Sequence, residues 1–443
     1  MQKELNRKIL LLALPSIVSN ITVPLLGLCD VTIMGHVGGA QHIGAIAVGS
    51  MIFNVMYWLF TFLRMGTSGL TAQALGARNL QQAASMLRRG LLVAMLIGFG
   101  ILLLQWPLKI LTFFLMQPTS DVAALCEPYY YIAIWGAPAM LGLYVLTGWF
   151  VGMQNTRIPM FIAIGQNVVN IALSLLLVVV FGLGIEGVAT GTVVAQWAGF
   201  LVALALLRLH YGRMLHRHRS HLRELAQGLG RFFRLNLDIF LRTVCLVSVN
   251  LFFTSAGAAQ GASILAANTL LMQFFMFFSY IMDGFAFAGE ALAGRYYGAR
   301  NKEMLHSTIV HVFGWGVMVS LVFTLVYLFL GAAFLRLLTT DNMVVIQATD
   351  YLPWAFAIPF AGVMAFVWDG IFIGITATRG MLLSCLAAAI AFFVIYFLLF
   401  PLYDNHALWL ALIVYLFLRG VVQTWYFSRK KVVNQEKKCN FAI

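Results

Sequence analysis

Long apolar runs separated by short basic or glycine-rich breaks make up most of the chain; 91–104, 173–181 and 317–330 are representative. A helix needs roughly 20 predominantly apolar residues to cross the hydrocarbon core of a bilayer. On that measure the pattern predicts twelve spans, near 8–35, 43–72, 88–115, 124–152, 158–182, 186–208, 235–258, 262–294, 307–331, 342–374, 380–402 and 406–428. The breaks differ in charge according to the side on which they fall. With the amino terminus placed in the cytoplasm, the tails and alternate loops on that side hold 23 Lys and Arg residues; the opposite side holds two, Lys109 and Arg336. Such a bias sets orientation, so both termini are expected in the cytoplasm. The longest charged segment, 208–234, carries seven arginines between the sixth and seventh spans and reads as a cytoplasmic linker with a short amphipathic stretch at 222–233.

Composition narrows the class. A chain with 62% hydrophobic and 10% charged residues is not an ordinary soluble protein. The net charge of +13 is accounted for by topology and by contact with anionic lipid, and no nucleic-acid partner is expected. Cys29, Cys126, Cys245, Cys385 and Cys439 form no metal or redox spacing, and small buried hydrophobes are the simplest reading. The first apolar run lacks a small-residue cleavage site and reads as a retained helix. No Walker, G-x-S-x-G or H-E-x-x-H sequence occurs, so neither an enzyme nor an ATP-driven pump is expected; the drive is an ion gradient and no cofactor is needed.

The chain also repeats. Gly-Ala-Arg-Asn stands at 76–79 and again at 298–301, 222 residues on. The same offset superimposes Gly148-Trp149-Phe150-Val151-Gly152 on Gly370-Ile371-Phe372-Ile373-Gly374, and Thr156-Arg157 on Thr378-Arg379. Six spans per half is an even number, so both halves enter the membrane the same way round. The expected fold is an all-α integral membrane protein, with twelve transmembrane helices in two six-helix lobes related by a pseudo-two-fold axis along the membrane normal. The lobes are expected at 1–209 and 234–428, with a basic cytoplasmic linker at 210–233 and a cytoplasmic tail at 429–443.

Several transporter types share that plan. The major facilitator superfamily usually carries an Asp-Arg pair between helices 2 and 3, whereas this loop reads Gln73-Ala74-Leu75-Gly76-Ala77-Arg78-Asn79. Asp30 followed by Val31-Thr32-Ile33-Met34-Gly35-His36, with "GLTAQALGARN" at 69–79, instead resembles the multidrug and toxic compound extrusion (MATE) family. The stretches "SNITVPLLGLCD" at 19–30, "FLRMGTSGLTAQ" at 62–73, "MDGFAFAGEA" at 282–291 and "NHALWLAL" at 405–412 resemble one branch of it. The resemblance spans both lobes. It implies efflux of small organic compounds, cationic or amphipathic, by an antiporter of the bacterial inner membrane working by alternating access. A lipid or lipid-linked-sugar flippase of the same wider superfamily is the alternative; a monomer surrounded by lipid is expected in either case.

Of 15 acidic residues, most lie near span ends or in tails and loops; those well inside spans are Asp30, Asp238, Asp283, Glu290 and Asp369. An ionisable group in hydrocarbon costs several kcal/mol, so such a residue is read first as a site facing a cavity or a partner. Asp30 lies six residues after Pro24, whose missing N–H and ring favour a kink. Desolvation favours the neutral form of a carboxyl group, which suits an acid that loads and releases a proton. A helix-end aspartate bonding local N–H groups is the plainer alternative. The resemblance supports the first reading, since MATE proteins place an essential carboxylate at this motif position.

Around that carboxylate the family gathers polar groups from helices 4, 5 and 6. Asn170 and Thr192 match them, Thr147 falls at the helix-4 position, and Asn167 belongs to the same expected polar cavity. Ser174 stands where many relatives carry a second aspartate, and a serine can neither titrate as an acid nor balance a sodium ion. The resemblance matches Asp369 to an aspartate of the cation site in the sodium-driven branch, with a buried structural partner the alternative. Ser174 and Asp369 thus pull in opposite directions, and protons are the expected coupling ion, with sodium near Asp30 or Asp369 the alternative. Asp283 is deep enough to face a cavity as a third coupling group. Glu290 is expected to pair near the interface with Arg295, and Asp238 with Arg242 four residues along its own helix. Arg64, inside the second span, must face protein or water, and Asp30 is one candidate partner. Met272, Phe274, Phe275, Met276, Phe277 and Phe278 would suit bulky apolar cations, or else are ordinary lipid-facing residues.

Overall fold

In a computed structural model, residues 2–37, 39–218, 229–339 and 341–429 of the chain are described. Among them every regular element is a helix. That follows from the solvent: a bilayer core offers no water to backbone polar groups, and a helix satisfies them within one segment. The elements are α1 (Gln2–Val37), α2 (Gly39–Leu59), α3 (Phe62–Gly76), α4 (Leu80–Leu103), α5 (Gln105–Met116), α6 (Ser120–Ala133), α7 (Ala137–Gly152), α8 (Arg157–Leu175) and α9 (Gly184–Arg217). They continue with α10 (Leu229–Ala259), α11 (Ala262–Gly298), α12 (Lys302–Leu338), α13 (Asn342–Gly374) and α14 (Thr378–Arg429).

Ten described segments are long and apolar enough to cross a membrane. α2 and α3 share one across a turn at Phe60, and α6 and α7 share another through the tight turn Ile134–Gly136. α14 contains two spans, because Asp404 at φ 45° leaves the helical region and breaks it. Separating these two and adding α1 yields twelve helices in a multi-pass membrane protein, the number expected from the apolar runs.

The chain divides into two compact units, Val18–Asn236 and Met1–Ile17 with Leu237–Ile443. This differs from the boundary expected at 209, and residues 1–17 go with the carboxy-terminal half. Gly284 on α11 has no side chain, and α1 fills that space: a Cβ there would lie 3.0 Å from the Ala13 carbonyl oxygen. Trp315 Nε1 also donates to Asn6 Oδ1 at 3.1 Å. Within the expected linker, α9 stays helical to Arg217 and α10 starts at Leu229; residues 219–228, and most of the tail at 430–443, lie outside the described residues.

Each unit reproduces the repeat in its turns, caps and glycine contacts. Arg78 and Arg300 take positive φ (57° and 55°), as do Gln154 and Thr376 (63° and 55°). Asn79 caps α4 by accepting from Gln82 N at 2.9 Å, and Asn301 caps α12 by accepting from Met304 N at 2.9 Å. Gly148 and Gly152 on α7 let the backbone of α3 come close: a Cβ at Gly148 would stand 3.0 Å from the Arg64 carbonyl carbon, and one at Gly152 2.6 Å from the Ser68 oxygen. Gly370 and Gly374 on α13 do the same for α11 at Ala286 and Glu290, residues 222 positions after Arg64 and Ser68. Small residues four apart are how membrane helices pack closely when lipid is as apolar as leucine.

Candidate functional site

Asp30 lies on α1 in the unit Val18–Asn236 and is 7% exposed. Its Oδ1 is buried and has no hydrogen-bond partner among the described residues. Leaving a carboxylate oxygen unpaired away from water is costly, and the cost falls when the group binds a proton or another cation. Tyr129 is close enough to interact electrostatically with Asp30; Tyr57 stands near Tyr129 and Tyr144, and Tyr144 near Arg64. Tyr57 and Tyr129 are 6% and 4% exposed, so this is interior. The side chains of Met34, Gly35 and His36, part of the motif after Asp30, lie outside the described residues.

The expected polar residues are only partly brought together. Asn170 Nδ2 donates to Thr192 Oγ1 at 2.9 Å, joining α8 to α9, and Thr192 in turn donates to its own helix at Val188 O. Asn170 Oδ1 and Ser174 Oγ are buried without a hydrogen-bond partner among the described residues. Ser174 sits where α9 comes closest, since a Cβ on Gly191 would be 2.7 Å from Ser174 Oγ. Asn167 reaches α1: its Nδ2 donates to the Thr22 carbonyl at 3.2 Å, two residues before Pro24. Thr147 bonds only its own helix, at Leu143 O and Tyr144 O.

Asp369 in the other unit is arranged differently. It is also 7% exposed, yet its carboxylate is saturated. Oδ2 accepts from Arg242 Nη2 on α10 and from Arg419 Nη2 on α14, the latter at 2.5 Å, and Oδ1 accepts from Gln423 Nε2 at 2.7 Å. The cation-site reading of Asp369 gives way here to its alternative, a buried structural partner, because two guanidinium groups already hold Oδ2. The expected Asp238–Arg242 pair is corrected with it: Arg242 turns inward to Asp369, and Asp238 Oδ2 accepts from Thr378 Oγ1 at 3.0 Å. One helical turn of separation permits a local pair, but a buried carboxylate within reach is the stronger partner.

Asp283 is half-buried on α11 and interacts electrostatically with Tyr280. Glu290, on the same helix, is fully buried. Of the Met and Phe group on α11, Phe274 and Phe278 are 1% and 0% exposed and pack edge-on against Tyr327 and Phe323, whereas Phe277 points outward at 42%. They divide between core and surface and do not line one pocket. Tyr57, Tyr129 and Tyr144 went unnoticed in the sequence, as did Arg419 and Gln423 as partners of Asp369. The one available signal was Arg419 itself, one of three arginines, with Arg64 and Arg242, away from the ends of the expected spans.

The sequence model of the MatE family matches residues 15–176 and 239–398, one match in each half. Over 411 residues the chain is 38% identical to DNA damage-inducible protein F of Escherichia coli, covering 93% of this chain and 89% of that protein. That protein typifies the branch which the motifs at 19–30 and 282–291 resemble. A probable multidrug resistance protein NorM of Photorhabdus laumondii is 23% identical over 364 residues, covering 78% of this chain and 77% of its own. Among solved structures, the outward-facing conformation of a multidrug resistance MATE family transporter superimposes with a TM-score of 0.87 at 19% identity, covering 97% of each chain.

Proposed function

The chain belongs to the MatE family, and from that premise we propose that it is an antiporter exporting small amphipathic organic compounds, cations among them, in exchange for protons. It is a transporter and not an enzyme. The observation that carries the coupling proposal is the buried, unpartnered Oδ1 of Asp30 on a proline-containing helix. A protonated Asp30 is neutral and tolerates a dry, hydroxyl-lined setting; an ionised one needs a cation, either the substrate or a proton. Loading a proton therefore competes with a cationic substrate at the same place. Asn167, bonded to α1 just before Pro24, ties the change to the shape of that helix.

Protons are favoured over sodium by two departures. Ser174 stands where a second carboxylate would share the charge of a sodium ion, and Asp369 is engaged by arginine. The 23-to-2 distribution of basic residues supports cytoplasmic termini in an inner membrane, and the exposed apolar surfaces of the spans suit a monomer in lipid.

The test is efflux of a fluorescent cation from proteoliposomes under an imposed pH or sodium gradient. A pH gradient is expected to drive efflux and a sodium gradient to have no effect. Transport by the Asp30→Asn variant at the wild-type rate would refute the coupling role, and lipid scrambling without ion dependence would refute the antiporter.

A further inference from the structure

Charge does not balance at Asp369. Arg242, Arg419 and Asp369 are 7%, 5% and 7% exposed, and together they carry one more positive charge than negative. A net charge at this depth costs several kcal/mol unless something offsets it. Other groups complete the contacts: Gln423 on the carboxylate, the Tyr415 ring 5.5 Å from the Arg419 guanidinium, and Cys385 against the Arg242 carbonyl. Both guanidinium groups also keep Nε buried with no hydrogen-bond partner among the described residues, so each has a donor left over. The cluster is not sealed, since its side chains retain 6–10% exposure. Nor does it belong to the repeated scaffold: 222 positions earlier stand Asn20 for Arg242, Thr147 for Asp369, Trp197 for Arg419 and Leu201 for Gln423, all uncharged.

We propose that the Arg242–Asp369–Arg419 cluster is a binding site for one anionic group, a carboxylate or phosphate carried by a small amphipathic molecule, separate from Asp30. Arginine suits both groups because its donors form a planar fork that meets two oxygens at once. Asp369 holds the two guanidinium groups side by side and reduces their charge to a single unit, so that one monovalent anion completes it. Organic anions would then bind the carboxy-terminal unit independently of proton loading in the other.

The test is binding of sodium octanoate to the purified full chain in nanodiscs of zwitterionic lipid, read by calorimetry at constant ionic strength. Wild type is expected to bind one octanoate, and Arg419→Gln to lose at least tenfold in affinity. Asp369→Asn is expected to bind several-fold more tightly, because it raises the positive excess. A purely structural triad predicts no octanoate binding, or binding that neither substitution changes, and either result overturns the proposal. Should Arg419→Gln fail to fold, Arg242→Gln makes the same prediction; Arg429→Gln, an exposed arginine at the end of α14, is expected to bind as wild type. Repeating the titration in nanodiscs of anionic lipid separates the sources: octanoate binding lost there alone identifies a lipid headgroup as the natural occupant, and unchanged binding identifies a free organic anion. Asp30→Asn is expected to bind octanoate normally, so the coupling proposal and this one fail separately.

Discussion

Asp30 and Asp369 are equally buried, at 7% exposure each, and they have opposite electrostatic settings. Asp30 keeps an oxygen without a partner, while Asp369 has three donors on two oxygens, two of them guanidinium groups. Burial alone therefore does not mark a titrating group. A carboxylate clasped by arginines keeps its charge, and one left among tyrosines has a reason to change it. The same asymmetry appears around Asp30 itself. At its position in the second half stands Phe252, and at those of Asn170 and Ser174 stand Phe392 and Tyr396. There Phe252 packs edge-on against Phe392 and Tyr396, with ring centroids 6.0 and 5.0 Å apart, so aromatic packing replaces the polar groups.

The comparison is broken most severely by Asp30→Asn. It is expected to abolish proton-coupled efflux while leaving the unfolding midpoint in detergent within about 1 kcal/mol of wild type, because no ion pair is lost. Asp369→Ala should do the reverse to stability. Stranding two buried arginines costs about 3–5 kcal/mol, read as a large drop in thermal midpoint. A wild-type midpoint for that variant would mean that the cluster is hydrated and not paired.

Smaller effects test where the two halves are alike. Gly148→Ala and Gly370→Ala both push a methyl group into a neighbouring backbone, and each should cost about 1–3 kcal/mol. A large difference between them would show that the close approach of α3 to α7 is not equivalent to that of α11 to α13. The smallest expected effect is at the caps: Asn79→Ala and Asn301→Ala should each cost about 1 kcal/mol, measured by the same unfolding assay.

Much of the architecture was legible in the chain. Apolar runs of bilayer length marked the spans, and the repeated Gly-Ala-Arg-Asn marked paired turns, since Arg78 and Arg300 adopt the same positive φ and the asparagines cap the helices that follow. The break inside α14 was also anticipated, since 380–402 and 406–428 were separate spans; the turn between α2 and α3 was not, because 43–72 reads as one apolar run. The packing of residues 1–17 with the carboxy-terminal unit was not, because a missing Cβ at Gly284 matters only once another helix is beside it. Within the candidate site, Asp30 was found by its rarity: a carboxylate in an apolar run is conspicuous. Asp238 and Arg242 misled, since spacing along one helix says who can meet and not who is nearer from another helix.

By itself, then, the sequence determined that this is a membrane transporter of twelve helices in two related halves, because crossing hydrocarbon imposes length, apolarity and charge bias residue by residue. It also named the acids that membrane burial makes significant. Only the tertiary structure decided which groups each acid meets. The partners of Asp369 come from residues 127 and 50 positions away, and Tyr129 reaches Asp30 from another span. The electrostatics of a buried group depend on distances through a low dielectric, and those distances are set by helix packing, not by order along the chain.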